Sequence, residues 1–64
     1  MPVIIVKARR GVLQTREMKA ALIEKLSNAF AQVVNDDSYR DRATVIIEEV
    51  DDGNWGRGGR QVSA

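Results

Sequence analysis

Residues 3–8 read VIIVKA, and this stretch decides the fold because a short, β-branched, nearly continuous apolar run is typical of a strand covered on both faces. The letters RRG at residues 9–11 end the run, and Gly11 is the natural position for a turn. A second run of the same kind, ATVIIEEV, occupies residues 43–50. The sequence therefore predicts two apolar strands, one at each side of a long intervening segment.

The intervening segment predicts one long helix over residues 15–34. Its apolar side chains recur at steps of three and four, which is helical spacing; they are Met18, Ala21, Leu22, Leu26, Ala29, Phe30 and Val33. Thr15 is the expected N-cap, and the polar run NDDS at residues 35–38 ends the helix. Four polar side chains are expected on the solvent side, namely Lys19, Glu24, Lys25 and Asn28.

Two strands that flank a helix form a βαβ unit, in which the strands are parallel. The fold class is therefore α/β (α+β), with a single domain over residues 1–64. Four glycines within residues 53–59 predict tight turns, a small C-terminal hairpin or a short strand. A parallel two-stranded sheet is rarely stable alone and leaves one face bare, so we expect oligomerisation to complete it.

Composition also favours self-association. A chain of 64 residues buries only about 60% of its unfolded surface, yet 44% of this chain is hydrophobic. It has no Cys and no His, which excludes disulfides, a Cys nucleophile and a His base, and we expect no metal. A net charge of +1 predicts no attraction to nucleic acid or to a membrane. With no apolar run of membrane length and no signal peptide, the expected location is cytoplasmic.

Pro2 directly follows Met1. An initiator Met is normally removed before a small residue, and its removal would give Pro2 a free secondary amine. The pKa of a chain-terminal amine is about 7.7–8.0, and an apolar pocket or a nearby guanidinium lowers it. Such an amine is suited to general-base catalysis near pH 7. A Met-Pro start is common in ordinary proteins, and Pro2 cannot act as a base while Met1 is attached.

Four stretches together resemble the 4-oxalocrotonate tautomerase family: PVIIVKARRG (2–11), KAALIEKLSNAF (19–30), TVIIEEV (44–50) and DDGNWGRGG (51–59). The resemblance covers nearly the whole chain and implies βαβ subunits assembled as hexamers, built as trimers of dimers. It implies that Pro2 is the catalytic base, moving a proton within an unsaturated 2-hydroxy or 2-keto acid such as 2-hydroxymuconate, without a cofactor. It also implies that Trp55 lines an apolar pocket beside the proline.

The chain departs from this family where the substrate carboxylates are bound. The family has an arginine directly after the first turn glycine and another just before the second strand's VII. Here those places hold Val12 and Thr44. A guanidinium binds a carboxylate in a bidentate manner, so other arginines are the candidates; they are Arg9, Arg10, Arg42 and Arg57.

Each candidate has a different argument. Strand alternation places Arg10 on the same face as Pro2, whereas related dehalogenases use an arginine at the place that matches Arg9. Arg42 shares a face with Thr44 if the second strand extends that far. Arg57 lies in the tail beside Trp55. Glu48 and Glu49 point to opposite faces of the strand and are interpreted as structural.

Other functions remain open. Dehalogenation by hydration and decarboxylation would use the same proline as tautomerisation. The missing arginines would also suit a catalytically silent subunit of a mixed hexamer. The tail sequence GRGGR at residues 56–60 suggests RNA binding only weakly at this net charge. The best-supported partner is therefore a small carboxylate substrate.

Overall fold

The computed structural model describes residues 2–63. Met1 lies outside the described residues, and so does the prediction that it is removed. The elements in chain order are β1 (Val3–Arg9), α1 (Arg16–Val34), α2 (Tyr39–Arg42), β2 (Thr44–Val50), β3 (Gly56–Arg57) and β4 (Arg60–Gln61).

The strands β1 and β2 form a parallel two-stranded sheet. Their register runs from Val3 opposite Thr44 to Arg9 opposite Val50. The strands β3 and β4 form a short antiparallel hairpin, whose turn residues Gly58 and Gly59 have φ of 61° and 78°. These positive φ angles favour glycine. The α+β class, the βαβ arrangement and the C-terminal hairpin predicted from the sequence are therefore confirmed.

The ends of α1 follow from local capping. The Thr15 hydroxyl accepts a hydrogen bond from the Met18 N–H at 3.1 Å, which caps the first turn. At the other end Asn35 adopts a left-handed conformation with φ 58°, and its N–H bonds to carbonyls of the last turn. The helix thus begins one residue after the predicted start and ends at the predicted residue.

The short helix α2 was not predicted. Asp36 Oδ1 accepts hydrogen bonds from both the backbone N–H and the hydroxyl of Ser38, at 3.0 and 2.7 Å, and this turn starts the helix. The Ala43 N–H closes it by donating to the Tyr39 carbonyl at 2.9 Å. Arg42 is therefore the last residue of α2, and the idea that it lies on the strand face of Thr44 is wrong.

The helix α1 covers one face of the sheet and also packs against α2. The Phe30 and Tyr39 rings lie 5.8 Å apart, centroid to centroid. Among residues 2–63, Ser27 and Ala31 are the most deeply buried, because α2 covers this side of α1. The Ser27 hydroxyl donates to the Ile23 carbonyl at 2.8 Å, which satisfies its buried oxygen.

The packing of α2 and β2 against α1 corrects the predicted polar face of this helix. Lys19 and Asn28 are partly buried rather than on the solvent side, and Lys19 forms an ion pair with Glu49 of β2. Conversely, four residues of the predicted apolar stripe are exposed: Met18, Ala21, Ala29 and Val33. The buried stripe is rotated toward α2, which the helical spacing alone could not reveal.

The second face of the sheet is open. Its apolar side chains Val3, Ile5 and Ile46 are 48%, 53% and 42% exposed. A two-stranded sheet with a bare apolar face is not expected to be stable by itself, so this face implies self-association. Within residues 2–63, no helix has the length and apolar character needed to cross a membrane.

Candidate active site

Pro2 lies at the edge of the sheet where both strands begin. Its carbonyl accepts a hydrogen bond from the Thr44 N–H at 2.9 Å, and the residue is partly buried. Arg42 lies two residues before Thr44, the first residue of β2, and its guanidinium lies 4.0 Å from the centroid of the Tyr39 ring in a cation–π contact. Pro2 and Arg42 therefore belong to the same end of the sheet.

Arg9 belongs to the opposite end. It is the last residue of β1, seven positions from Pro2. At a rise of about 3.3 Å per residue, the two backbones are roughly 23 Å apart. A small carboxylate cannot contact Pro2 and Arg9 of the same chain.

Arg9 is held by an acidic residue that the sequence interpretation did not single out. Its Nε and Nη2 donate to Asp52 Oδ1 and Oδ2 at 2.8 and 2.7 Å, a bidentate ion pair. Trp55 Nε1 donates to the same Asp52 Oδ1 at 3.4 Å, and the Arg9 guanidinium lies 5.8 Å from the Trp55 ring centroid. The hydrogen bond from Arg9 is the main cause that lowers the pKa of Asp52 below its ordinary value.

The backbone after β2 places these groups together. The Asn54 N–H donates to the Asp51 carbonyl at 3.0 Å, and Gly53 has φ 95°, a left-handed turn conformation. Trp55 follows this turn and is anchored by its carbonyl, which accepts the Val62 N–H at 3.0 Å. The sequence signal for Asp52 is its place directly before the turn glycine and three residues before the tryptophan.

Beside the Arg9–Asp52 ion pair lies a cavity of about 350 Å³ whose lining combines positive and apolar groups. Its lining residues are Lys7, Ala8, Arg9, Val50, Trp55 and Arg57. We call it the Arg9 cavity. It brings together three of the six predicted site residues, namely Arg9, Trp55 and Arg57. A larger cavity of about 640 Å³ lies between α1 and the segment around α2 and is lined mainly by polar side chains.

Arg10 lies on the other side of the strand, toward α1. Its Nη1 donates to Glu49 Oε2 at 2.8 Å, and its Nε bonds to Asp51. Lys19 of α1 also pairs with Glu49, and its hydrogen bond is the main cause that lowers the pKa of Glu49. Arg10 is therefore part of an ion network that joins β1, β2 and α1, rather than part of the Arg9 cavity.

The described residues offer no metal site of the usual kind. Within residues 2–63, no three His, Cys, Asp or Glu side chains come together as potential ligands. The Arg9 cavity itself brings together guanidinium groups and an indole ring.

The sequence and the fold match one family of enzymes. A family model described as "Tautomerase enzyme" matches residues 2–64. The chain therefore belongs to the tautomerase family, and its predicted likeness to 4-oxalocrotonate tautomerase is confirmed.

Solved structures agree with this assignment. DmpI from Helicobacter pylori is 38% identical, with 95% of each chain covered and a TM-score of 0.79. An apo structure of unfused 4-OT is 33% identical over 95% of this chain and 93% of the other, also with a TM-score of 0.79. YwhB, a homologue of 4-oxalocrotonate tautomerase, is 27% identical over 94% and 92% of the chains, with a TM-score of 0.80. Among curated protein sequences, none matches.

Proposed function

We propose that this protein is a cofactor-independent tautomerase whose general base is the amine of Pro2, freed by removal of Met1. The main observation in support is the way the sheet holds Pro2. The residue is fixed through its carbonyl to Thr44 and is partly buried at the edge of the sheet, so an amine freed at this residue would have a defined position. The match to the tautomerase family also begins at residue 2.

The proposed reaction moves a proton within an unsaturated 2-hydroxy or 2-keto acid, such as 2-hydroxymuconate. The neutral Pro2 amine accepts a proton from the hydroxyl or carbon of the substrate and returns it at another position of the conjugated system. Arg9 binds the substrate carboxylate, and Trp55 stacks on the flat conjugated body and excludes water. Exclusion of water and nearby positive charge both favour the neutral amine.

This reaction requires two chains at each site. Because Pro2 and Arg9 of one chain are roughly 23 Å apart, the Arg9 cavity must receive Pro2 from a second copy. The exposed apolar face formed by Val3, Ile5 and Ile46 supports an assembly that could provide it. We propose a hexamer built as a trimer of dimers, with Pro2 and the Arg9 cavity contributed by different subunits.

One observation favours a second reaction on the same site. Arg9 lies in a cavity with Trp55, and the resemblance matches it to an arginine of related dehalogenases. In this hydration reaction the Pro2 amine would take a proton from water as the hydroxyl adds to C3 of a 3-haloacrylate and a proton adds to C2. The resulting 3-halo-3-hydroxypropanoate would then release the halide and a proton to give the 3-oxo acid. The substrate screen below distinguishes this reaction from tautomerisation.

The proposal is tested on protein whose amino terminus has been established by intact-mass measurement. Phenylenolpyruvate, 2-hydroxymuconate and 3-haloacrylate are assayed separately, with wild-type protein and with Pro2→Ala. We expect turnover of a 2-hydroxy acid by the Met1-free protein and its loss in the variant. Full activity in Pro2→Ala, or in protein that retains Met1, would falsify the mechanism.

A further inference from the structure

The ion pair between Arg9 and Asp52 has a consequence for substrate selection. We propose that Asp52 is a specificity-determining residue that restricts the Arg9 cavity to ligands presenting a single carboxylate to it. The inference relies on the proposed function only for the reaction that follows binding. The ligand class is a flat, conjugated monocarboxylate with an apolar remainder. Among the proposed substrates, the monocarboxylate phenylenolpyruvate is therefore favoured over the dicarboxylate 2-hydroxymuconate.

The first argument is the geometry of the guanidinium. Asp52 occupies the edge of Arg9 formed by Nε and Nη2, with both carboxylate oxygens engaged. A guanidinium offers a limited set of in-plane donors, and bidentate carboxylate binding uses one edge at a time. The edge that includes Nη1 is thus the one left for a ligand carboxylate, and a carboxylate bound there lies close to the negative charge of Asp52.

The second argument is the charge of the cavity. Lys7 is 3.7 Å from Glu48, and Arg9 is paired with Asp52. Among residues 2–63, Arg57 has no acidic partner within ion-pair distance. The three cations and two carboxylates leave one net positive charge, which matches a monoanion. A second ligand carboxylate would lie near Asp52 without a compensating cation, and like charges repel.

The third argument is the apolar part of the lining. Trp55, Val50 and Ala8 form the remaining walls of the Arg9 cavity. An indole ring stacks favourably on a planar conjugated chain. Asp52 holds Arg9 and Trp55 together through hydrogen bonds to both, so the carboxylate site and the stacking surface have a fixed relationship. This arrangement fits a ligand with one charged end and one apolar end.

The experiment uses Trp55 fluorescence, because Trp55 is the only tryptophan in the chain. The probes are sorbate and trans,trans-muconate, which share a six-carbon conjugated diene and carry one and two carboxylates. The ratio of their dissociation constants is measured for wild type, Asp52→Asn and Asp51→Asn. Asp51→Asn is the matched control. It removes the same charge from the neighbouring residue, whose carboxylate pairs with Arg10 rather than with Arg9.

We expect wild type to prefer sorbate, and Asp52→Asn to shift the ratio toward muconate by about fivefold, the scale of a partly exposed ion pair. Asp51→Asn should leave the ratio near the wild-type value, and Asp52→Glu should restore the preference for sorbate. An equal ratio in the two Asn variants, or no binding of either probe to the wild type, overturns the inference.

The binding assay also separates this inference from the proposed function. If Pro2→Ala retains full activity while Asp52→Asn still shifts the binding ratio, the mechanism is wrong and the role of Asp52 stands. If Pro2→Ala loses activity while Asp52→Asn leaves the binding ratio unchanged, the mechanism stands and the proposed role of Asp52 is wrong. Circular dichroism of each variant checks that the fold is retained.

Discussion

The carbonyl of Pro2 accepts the N–H of Thr44 at 2.9 Å, so the sheet holds the second residue of the chain before the regular register begins at Val3. This contact fixes the position of the Pro2 nitrogen without using it. Because the contact uses only backbone groups, replacing the Pro2 side chain does not remove it. A substitution at Pro2 can therefore test its role in catalysis separately from its role in folding.

Pro2→Ala tests that separation. We expect at least a hundredfold loss of kcat, because a correctly placed general base contributes about 10²–10⁴-fold. In Pro2→Ala a primary amine in a different position replaces the secondary amine of the proline ring. The helical circular dichroism should be unchanged, because the hydrogen bond to Thr44 uses only the backbone. The measurements are steady-state turnover of phenylenolpyruvate, the monocarboxylate of the substrate screen, and a urea titration of the same variants. Equal loss of fold and activity would contradict the assignment of a chemical role.

Arg9→Ala and Arg10→Ala form a matched pair of neighbouring variants. Arg9 lines the cavity with Trp55, whereas Arg10 is engaged by Glu49 and Asp51 on the other side of the strand. We expect Arg9→Ala to raise KM roughly tenfold or more, since hydrogen bonds to charged groups contribute on this scale. Arg10→Ala should change KM much less and lower the urea midpoint instead. If Arg10→Ala raises KM more than Arg9→Ala does, the substrate carboxylate binds on the Arg10 side of the strand and the assignment of Arg9 is wrong.

Trp55→Ala should move the acid limb of the pH–rate profile to higher pH. In the proposed two-chain site, the indole shields the Pro2 amine of the partner from water. Its removal hydrates the amine, favours the ammonium form and raises the pKa of that amine. Trp55→Phe should produce a smaller shift, because an aromatic ring remains. An acid limb that stays in place in Trp55→Ala would limit this residue to packing or substrate stacking.

The sequence predicted the βαβ order because both strands and the long helix carry strong local signals. The β-branched runs have no competing helical period, and Thr15 and Asn35 define the ends of α1 by capping. The helix α2 escaped prediction because one short turn has no hydrophobic period. Its start depends on a local Asp36–Ser38 turn, and its presence changes which side of α1 is buried.

The candidate site was only partly predictable, for a geometric reason. The resemblance named Pro2 and Trp55, but a sequence does not state that they lie at opposite ends of one subunit's sheet. Asp52 was missed because its role depends on a contact with Arg9 across 43 residues. Strand alternation correctly separates Arg9 from Arg10, yet only the tail after β2 determines which of them meets Trp55.

The ion network around Glu49 predicts a loss of stability in acid. Its folded pKa lies below the ordinary 4.5, mainly because of Lys19, so the unfolded chain takes up a proton at higher pH than the folded one. The stabilisation is therefore complete above the unfolded pKa and is lost as the pH falls through the lower, folded pKa. Urea midpoints at pH 6, 4 and 3, at fixed protein concentration, should fall more steeply in wild type than in Glu49→Gln.

Glu48→Gln is the control for that experiment, because Glu48 lies on the open face and pairs only loosely with Lys7 at 3.7 Å. It should retain the wild-type pH dependence of the urea midpoint. If Glu49→Gln and wild type lose stability in parallel between pH 6 and 3, the network around Glu49 does not contribute to the acid response.

The open face of the sheet predicts that one charge there prevents assembly. Ile5 is 53% exposed in the single subunit, and burial of such a side chain at an interface contributes about 1.5–3 kcal/mol, so Ile5→Asp replaces this gain with a desolvation cost. Val33→Asp is the matched control, because Val33 is even more exposed, at 85%, but lies on the helix. Sedimentation equilibrium should give a smaller mass for Ile5→Asp and the wild-type mass for Val33→Asp.

Because the proposed site needs Pro2 and the Arg9 cavity from different chains, Ile5→Asp should also lose turnover, and partial activity should return as its concentration rises. A fully active Ile5→Asp monomer would contradict both the shared site and the role of this face.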